Sequence, residues 1–123
     1  MKRILLPTDF SDNSWNAIQY AMELYQYQVC HFTLLHTYTP VVYQVEFMQA
    51  NTTQFQVMDA VKETAIKRLD EIYKRIKSAY NNPKHTFSQR TSFNTLTSEI
   101  DELFQDNEMD MIVMGTKKRA SHL

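Results

Sequence analysis

The stretch Lys2-Arg3-Ile4-Leu5-Leu6-Pro7-Thr8-Asp9-Phe10-Ser11 decides the fold of this chain. It begins as a short apolar strand and stops at a polar turn that carries the carboxylate of Asp9. Near the other end, Asp110-Met111-Ile112-Val113-Met114-Gly115-Thr116 repeats the pattern and closes on the only glycine of the chain. In an open parallel sheet, ligands bind beyond the carboxyl ends of the strands. The function should therefore be sought at these two strand ends.

The bulk composition limits the classes of protein that the chain can belong to. Its 123 residues are enough for one domain with one hydrophobic core, so we take residues 1–123 as a single domain. With 13 Lys and Arg against 14 Asp and Glu, the charge gives no argument for nucleic acid or an anionic membrane as partner. No apolar run reaches the length of a signal segment or a membrane span, and we expect a cytoplasmic protein. Cys30 is alone and is interpreted as a buried structural thiol.

The apolar spacing predicts strands and helices in the order βαβαβαβ. The predicted helices cover residues 12–27, residues 54 to just before Pro83, and residues 96–106; the strands after the first cover residues 31–38, 84–93 and 111–114, with 84–93 at an edge. Each crossover is long enough for a helix, and such crossovers are right-handed. The predicted fold class is therefore α/β, a doubly wound open parallel sheet with helices on both faces.

The content of glycine limits the kinds of nucleotide-binding loop that the chain can have. The single glycine excludes the Gly-rich dinucleotide fingerprint and the P-loop, since neither GxGxxG nor GxxxxGK[ST] occurs. The connection that contains Pro40 to Met48 is unusually apolar for a loop. It either covers an adenine-sized pocket or forms a protein contact, and contiguous exposed apolar surface favours the contact.

With these elements in place, the chain resembles the universal stress protein family. The matching pieces are the segment from Ile4 to Ser11, Leu34-Leu35-His36-Thr37 at the end of the second strand, and Asp110 to Thr116. The resemblance extends over all 123 residues through the order of the elements. It implies a Rossmann-like fold of the adenine nucleotide alpha hydrolase type, a non-catalytic role in the stress response, and a dimer or a second domain of the same kind as partner.

The resemblance also implies an adenine-nucleotide crevice, with ATP as the candidate ligand. By position, Asp9 contacts ribose or phosphate, Thr37 approaches the adenine, and Gly115 is the first glycine of a phosphate-binding Gly-x2-Gly-x9-Gly-(Ser/Thr) loop. The implied binding residues are Pro7, Thr8, Asp9, Thr37, Met114, Gly115, Thr116 and Lys118.

The sequence departs from the family pattern in this last loop. Lys118 stands at the second glycine position, and the sequence reaches Leu123 before the third glycine and the family's usual last helix and strand. Glycines cradle phosphate because their backbone can adopt positive φ and bring N–H groups close. Lys117, Lys118 and Arg119 could replace that cradle with charge, or they could form a solvated tail.

Single residues in the matching pieces keep alternative interpretations. Asp9 could orient ribose or a metal-bound phosphate, or it could cap the first helix and brace the turn. Ser11 and Asp12 favour helix capping. His36 is interpreted as a hydrogen-bonded core residue, because no Ser, Asp or Cys partner can be assigned to it. The other histidines, His31, His85 and His122, lack ligand spacing, so we expect no metal site.

Three functions remain as hypotheses. The first is a non-catalytic stress-response module with a degraded or incomplete adenine-nucleotide crevice, and the second is an ATP-binding sensor that uses Asp9 and the Gly115 loop. The third is a small ATP-using α/β enzyme, which is disfavoured because its motifs are missing. A receiver domain is disfavoured because residues 91–94 hold no acidic phosphoacceptor. We also expect self-association through the apolar edge from Met111 to Met114, or a longer protein.

Overall fold

We describe residues 1–38 and 54–115 in a computed structural model of the chain, with their side chains except those of residues 54–58. The elements are β1 (Lys2–Pro7), α1 (Asp12–Leu24), β2 (Cys30–Tyr38), α2 (Gln54–Ala79), β3 (His85–Phe93), α3 (Leu96–Gln105) and β4 (Met111–Ile112). The predicted order is confirmed. The apolar connection at residues 40–48 and the tail from residue 116 onward lie outside the described residues.

The four strands form one parallel sheet in the order β3-β2-β1-β4. The register between β1 and β2 runs from Lys2 opposite Cys30 to Pro7 opposite Leu35. The strand β3 lies at an edge, as the sequence predicts. Because the strands are parallel, their carboxyl ends meet along one side of the sheet, and the turn after β1 lies at that side.

Helices cover both faces of the sheet, which confirms the doubly wound α/β class. On one face, α1 and α2 pack on alternate apolar residues of β1 and β2, and on the other face α3 packs on the residues between them. The first core includes Ile4, Leu6, Ile18, Phe32, Leu34, Leu69 and Ile76, and the second includes Leu5, Leu35 and Leu103. Cys30 is fully buried, as predicted, and burial raises the pKa of its thiol.

Two element boundaries differ from the predicted ones. Helix α1 ends at Leu24 rather than at residue 27, because the Gln28 N–H donates to the Tyr25 carbonyl at 3.0 Å and turns the chain away. The paired part of β4 is Met111–Ile112 rather than residues 111–114. After the Val113 N–H donates to the Leu5 carbonyl at 3.0 Å, the chain leaves the ladder toward the start of α1. Among the described residues, no helix is both long and apolar enough to cross a membrane.

Candidate nucleotide crevice

A crevice of about 140 Å³ lies at the carboxyl ends of β1, β2 and β4, where the sequence places the candidate site. It is lined by Pro7, Thr8, Asp9, Asn13, Ser14, Leu35, His36, Thr37, Leu96, Met114 and Gly115. Six of the eight predicted binding residues line it, namely Pro7, Thr8, Asp9, Thr37, Met114 and Gly115. The other two, Thr116 and Lys118, lie outside the described residues. The lining residues that the sequence interpretation missed come mainly from α1 and from the start of α3.

A chain of hydroxyl groups fixes the floor of the crevice. The Ser14 hydroxyl donates to the Ser11 carbonyl at 2.9 Å, which uses its only proton. The buried Thr8 hydroxyl lies 3.0 Å from the Ser14 oxygen and must therefore be the donor of that bond. The Thr8 oxygen in turn accepts from the Phe10 N–H at 3.0 Å. Thr8 and Ser14 are thus held rigidly by their neighbours, and neither hydroxyl keeps a proton for a ligand.

The carboxylate of Asp9 braces the turn between β1 and α1. Its Oδ1 accepts the backbone N–H of Ser11 at 3.0 Å and also the Ser11 hydroxyl. The hydroxyl bond from Ser11 lowers the pKa of Asp9 more than burial raises it, so the exposed carboxylate is ionised at neutral pH. Ser11 is the N-cap of α1, since its side chain accepts from the Ser14 N–H at 3.2 Å. Asp9 therefore braces the turn, as one of its interpretations predicts, and Ser11 rather than Asp9 caps the helix.

Phe10 follows Asp9 with a φ of +68°, in the left-handed region that a bulky side chain rarely adopts. The cost of such a conformation is about 1–2 kcal/mol. It is offset by contacts on the Phe10 ring, whose centroid lies 4.5 Å from the His36 ring and 4.2 Å from the Arg68 guanidinium carbon. The sequence carries no signal for this conformation, because residues of this type seldom occupy it.

His36 forms a wall of the crevice. Its Nδ1 lies 2.9 Å from the backbone oxygen of Thr8, and because a carbonyl only accepts, Nδ1 carries the proton. This bond ties the end of β2 to the turn after β1. The predicted hydrogen bond of His36 is therefore present, but the predicted core position is wrong, because the side chain is only half-buried near the carboxyl end of the interior strand β2. His36 stands near the end of β2 and directly before Thr37, a predicted site residue, and this position is the signal that could have placed His36 in the crevice wall.

Gly115 brings the end of β4 close to the first turn of α1. A Cβ atom at this position would lie 2.8 Å from the backbone oxygen of Asn13 and 2.9 Å from its Nδ2. The sequence interpretation connected glycines in this loop with positive φ, but Gly115 does not have a positive φ. The position needs glycine because two backbones approach each other there.

The chemistry of the lining favours a neutral, flat group over a highly charged one. Apolar side chains of Pro7, Leu35, Leu96 and Met114 face the polar groups of Thr8, Asp9 and Thr37. Asp9 is the one charged side chain in the described lining, which includes no Lys or Arg. A triphosphate would find no cation among these residues. In the described part of the chain, there is also no group of three or more His, Cys, Asp or Glu side chains that could hold a metal ion.

A family model described as the universal stress protein family matches residues 1–123. This chain belongs to the universal stress protein family. Membership in this family supports a role in the stress response. A search of curated protein sequences found no match.

Solved structures agree with this assignment at the level of the fold. The universal stress protein UspA from Lactobacillus plantarum is 21% identical with a TM-score of 0.71, over 98% of this chain and 81% of that one. Hypothetical protein MJ0577 is 20% identical with a TM-score of 0.73, over 98% of this chain and 78% of that one. Hypothetical protein PH0823 is 20% identical with a TM-score of 0.76, over 98% of this chain and 80% of that one. These identities are low, so the structures support the Rossmann-like α/β fold and nothing finer.

Proposed function

We propose that this universal stress protein domain is a non-catalytic, cytoplasmic stress-response module whose crevice holds an adenine nucleotide mainly by its adenosine part. The observation that carries the proposal is the meeting of Pro7, Thr8, Asp9, Thr37, Met114 and Gly115 around one crevice. Apolar walls suit a flat base, and the exposed Asp9 carboxylate suits ribose hydroxyls as an acceptor.

The described lining supports binding of the nucleoside better than binding of a triphosphate. Its one charged group is a carboxylate, which repels phosphate. Measured over the described residues, the crevice of about 140 Å³ is small beside the roughly 300–1,000 Å³ of usual ligand pockets, which favours the smaller of the two ligands. An incomplete phosphate site agrees with Lys118 standing at a glycine position of the family loop.

The non-catalytic assignment is supported by the state of the polar groups in the crevice. The Ser14 proton goes to the Ser11 carbonyl, and the Nδ1 proton of His36 goes to the Thr8 carbonyl. No serine or threonine side chain of the described lining is hydrogen-bonded to a histidine that could activate it as a nucleophile.

An ATP-binding sensor that uses Asp9 and the Gly115 loop is the second candidate. The observation that favours it is the ionised, exposed Asp9 carboxylate at the mouth of the crevice, which could hold the cation of a metal-bound phosphate. In this version Lys118 supplies charge to the phosphates.

Calorimetric titration of the 123-residue chain with adenosine, AMP and magnesium-ATP tests the proposal and separates the two candidates. We expect the three dissociation constants to agree within about tenfold, which is 1.4 kcal/mol. A much tighter constant for ATP would instead support the sensor. Absence of saturable heat for all three would contradict both.

Asp9→Ala and Asp12→Ala form a matched pair for the same titration. Asp9 lies in the turn before α1 and Asp12 is the first residue of that helix, but Asp12 is outside the crevice lining. We expect Asp9→Ala to weaken adenosine and AMP binding and Asp12→Ala to leave it unchanged. Equal effects of the two substitutions would show that Asp9 acts only through the structure of the turn.

We further propose that the chain self-associates through the outer edge of β4. Within the described residues β4 pairs with β1 alone, and Met111 and Met114 expose 39% and 43% of their surface beside that edge. An apolar edge with open backbone groups recruits a partner strand. Sedimentation velocity should show a dimer that Met111→Lys weakens. A wild-type chain that stays monomeric at high concentration would contradict this interface.

A further inference from the structure

A second recess, which also has His36 in its lining, lies between the Phe10 turn and α2. We call it the Arg68 groove, and its volume is about 320 Å³. It is lined by Phe10, His36, Ala60, Val61, Thr64, Ala65 and Arg68. It shares only His36 with the crevice lining, and none of its residues is among those that the sequence assigned to a site.

The charge of this groove is opposite to that of the crevice. The Arg68 guanidinium carbon lies 4.2 Å from the centroid of the Phe10 ring. Three other basic side chains of the described residues form ion pairs, namely Arg3 with Asp110, Lys74 with Asp70 and Arg90 with Glu99. Arg68 has no carboxylate partner among the described residues. The exposed Arg68 side chain packs its guanidinium on the Phe10 ring, and no described carboxylate neutralises its charge.

The contact with Phe10 leaves hydrogen-bond donors of Arg68 available. A guanidinium is planar, and when its face lies on a ring its N–H groups point outward from the rim. Two parallel N–H groups match the two oxygens of a carboxylate. The positive φ of Phe10 helps to place its ring under Arg68, so the rare backbone conformation contributes to this arrangement.

The remaining wall of the groove is apolar. Ala60, Val61 and Ala65 supply aliphatic surface from successive turns of α2. The Thr64 hydroxyl donates to the Ala60 carbonyl at 2.9 Å, so its proton is not offered to a ligand. The groove therefore combines one fixed cation with an aliphatic surface and the edge of an aromatic pair.

We propose that the Arg68 groove binds a small organic anion, with its carboxylate on Arg68 and its apolar body against Val61 and Ala65. This site is separate from the nucleotide crevice and goes beyond the proposed function. The two recesses select different ligands, because one holds a carboxylate and the other a guanidinium that pairs with no carboxylate of the described residues.

Titration with phenylacetate, followed by the backbone amide resonances of the chain, tests the proposal. Phenylacetamide has the same shape without the charge, and inorganic phosphate has charge without an apolar body. We expect saturable shifts at Phe10, Val61, Thr64 and Arg68 with phenylacetate at millimolar concentration, and at least about tenfold weaker binding of the other two probes. Absence of saturation at about 10 mM, or equal binding of phenylacetamide, would overturn it.

Arg68→Gln and Arg75→Gln provide a matched comparison within one helix. Arg75 packs on the Trp15 ring at 3.8 Å, about two turns further along α2 and away from the groove. Arg68→Gln should weaken phenylacetate binding by about tenfold or more, while Arg75→Gln should leave it unchanged. Equal weakening by both variants would overturn the site. The phenylacetamide comparison uses the wild-type chain and decides the question even if a variant fails to fold.

Discussion

At several positions in this domain, the residue type is required either because two backbone segments lie close together or because the side chain is hydrogen-bonded to its neighbours. Gly115 lies where the chain after β4 meets α1, and in the crevice lining the Thr8 hydroxyl donates to Ser14, whose own hydroxyl donates to the Ser11 carbonyl. Away from the crevice, the carboxylate of Glu99 is 2% exposed yet fully bonded. Substitutions at such positions should act on stability through specific contacts that can be tested one at a time.

Gly115→Ala should destabilise the fold and weaken adenosine binding. Its Cβ would lie 2.8 Å from the Asn13 backbone oxygen, so the end of β4 must move away from α1. We expect a loss of about 1–3 kcal/mol in the free energy of unfolding, measured by urea denaturation. Adding Asn13→Ala removes the Nδ2 and Cγ contacts but keeps the backbone oxygen, so it should restore only part of the loss. An alanine variant as stable as the wild type would contradict the close approach.

Glu99→Gln should cost about 1–3 kcal/mol of unfolding free energy. Burial raises the pKa of Glu99, but bonds from Ser92 and Arg90, each at 3.0 Å, outweigh it and hold the pKa below its usual value. The Arg90 side chain is 44% exposed, which keeps the cost of losing its partner moderate. Thermal and urea denaturation measure the effect. Asp70→Asn, in an exposed pair with Lys74, is the control and should change stability little.

At the scale of elements, the turn from β1 into α1 is the part that builds the crevice. One short segment supplies the brace, the strained residue and the cap, since Asp9, Phe10 and Ser11 follow one another. The helix α3 begins with the same kind of cap, because the Thr95 side chain accepts from the Ser98 N–H at 3.2 Å. Substituting each cap in turn can therefore show whether a change in ligand binding comes from a loss of helix stability or from the Asp9 brace.

Ser11→Ala and Thr95→Ala should each lower the free energy of unfolding by about 1 kcal/mol through the loss of an N-cap. Only Ser11→Ala should also weaken adenosine binding, because Ser11 donates to the Asp9 carboxylate. Urea denaturation and calorimetric titration of both variants measure the two effects. Equal binding by the two variants would show that the Asp9 brace has no part in recognition.

The attachment of β4 to β1 should depend on pH. Hydrogen bonds from the Arg3 side chain lower the pKa of Asp110 from 3.8 to about 2. Since the folded pKa is below the unfolded one, this stabilisation is fully present above pH 3.8 and is lost as the pH falls toward 2. The stability difference between the wild type and Asp110→Asn should therefore shrink across that range in urea denaturation. In an Arg3→Met background the difference should be smaller above pH 3.8, and an unchanged difference there would contradict the pairing.

The sequence predicts the elements well because their signals are local. The apolar spacing of α1 and α2 and the β-branched and aromatic run of β2 depend on residues close in the chain. The end of α1 is misplaced because the signal that stops it is a backbone bond from Gln28 to Tyr25 rather than a residue type. The extent of β4 is likewise set by its partner strand, which no local pattern reports.

The candidate site is only partly predictable for the same reason. Asp9, Thr37 and Gly115 stand at strand ends and could be found from the pattern. Asn13 and Leu96 reach the crevice only because two helices converge on it, which the sequence does not show. The Arg68 groove depends on contacts between the turn and α2 and has no sequence motif.

In the whole molecule, both proposed binding sites lie at one end of the parallel sheet, and the opposite end is part of the buried core. The crevice and the Arg68 groove both lie at the carboxyl ends of the strands, while the amino-terminal ends hold buried residues such as Cys30 and His85. We propose that an adenine nucleotide binds at the first of these places. A ligand at that crevice should leave the opposite end of the sheet unaffected.

The most direct test is an AMP titration followed by the backbone amide resonances of the full chain. We expect saturable shifts at Thr8, Thr37 and Gly115, with no change at Cys30 and His85. Shifts confined to other parts of the molecule, or no saturation at about 10 mM AMP, would contradict it.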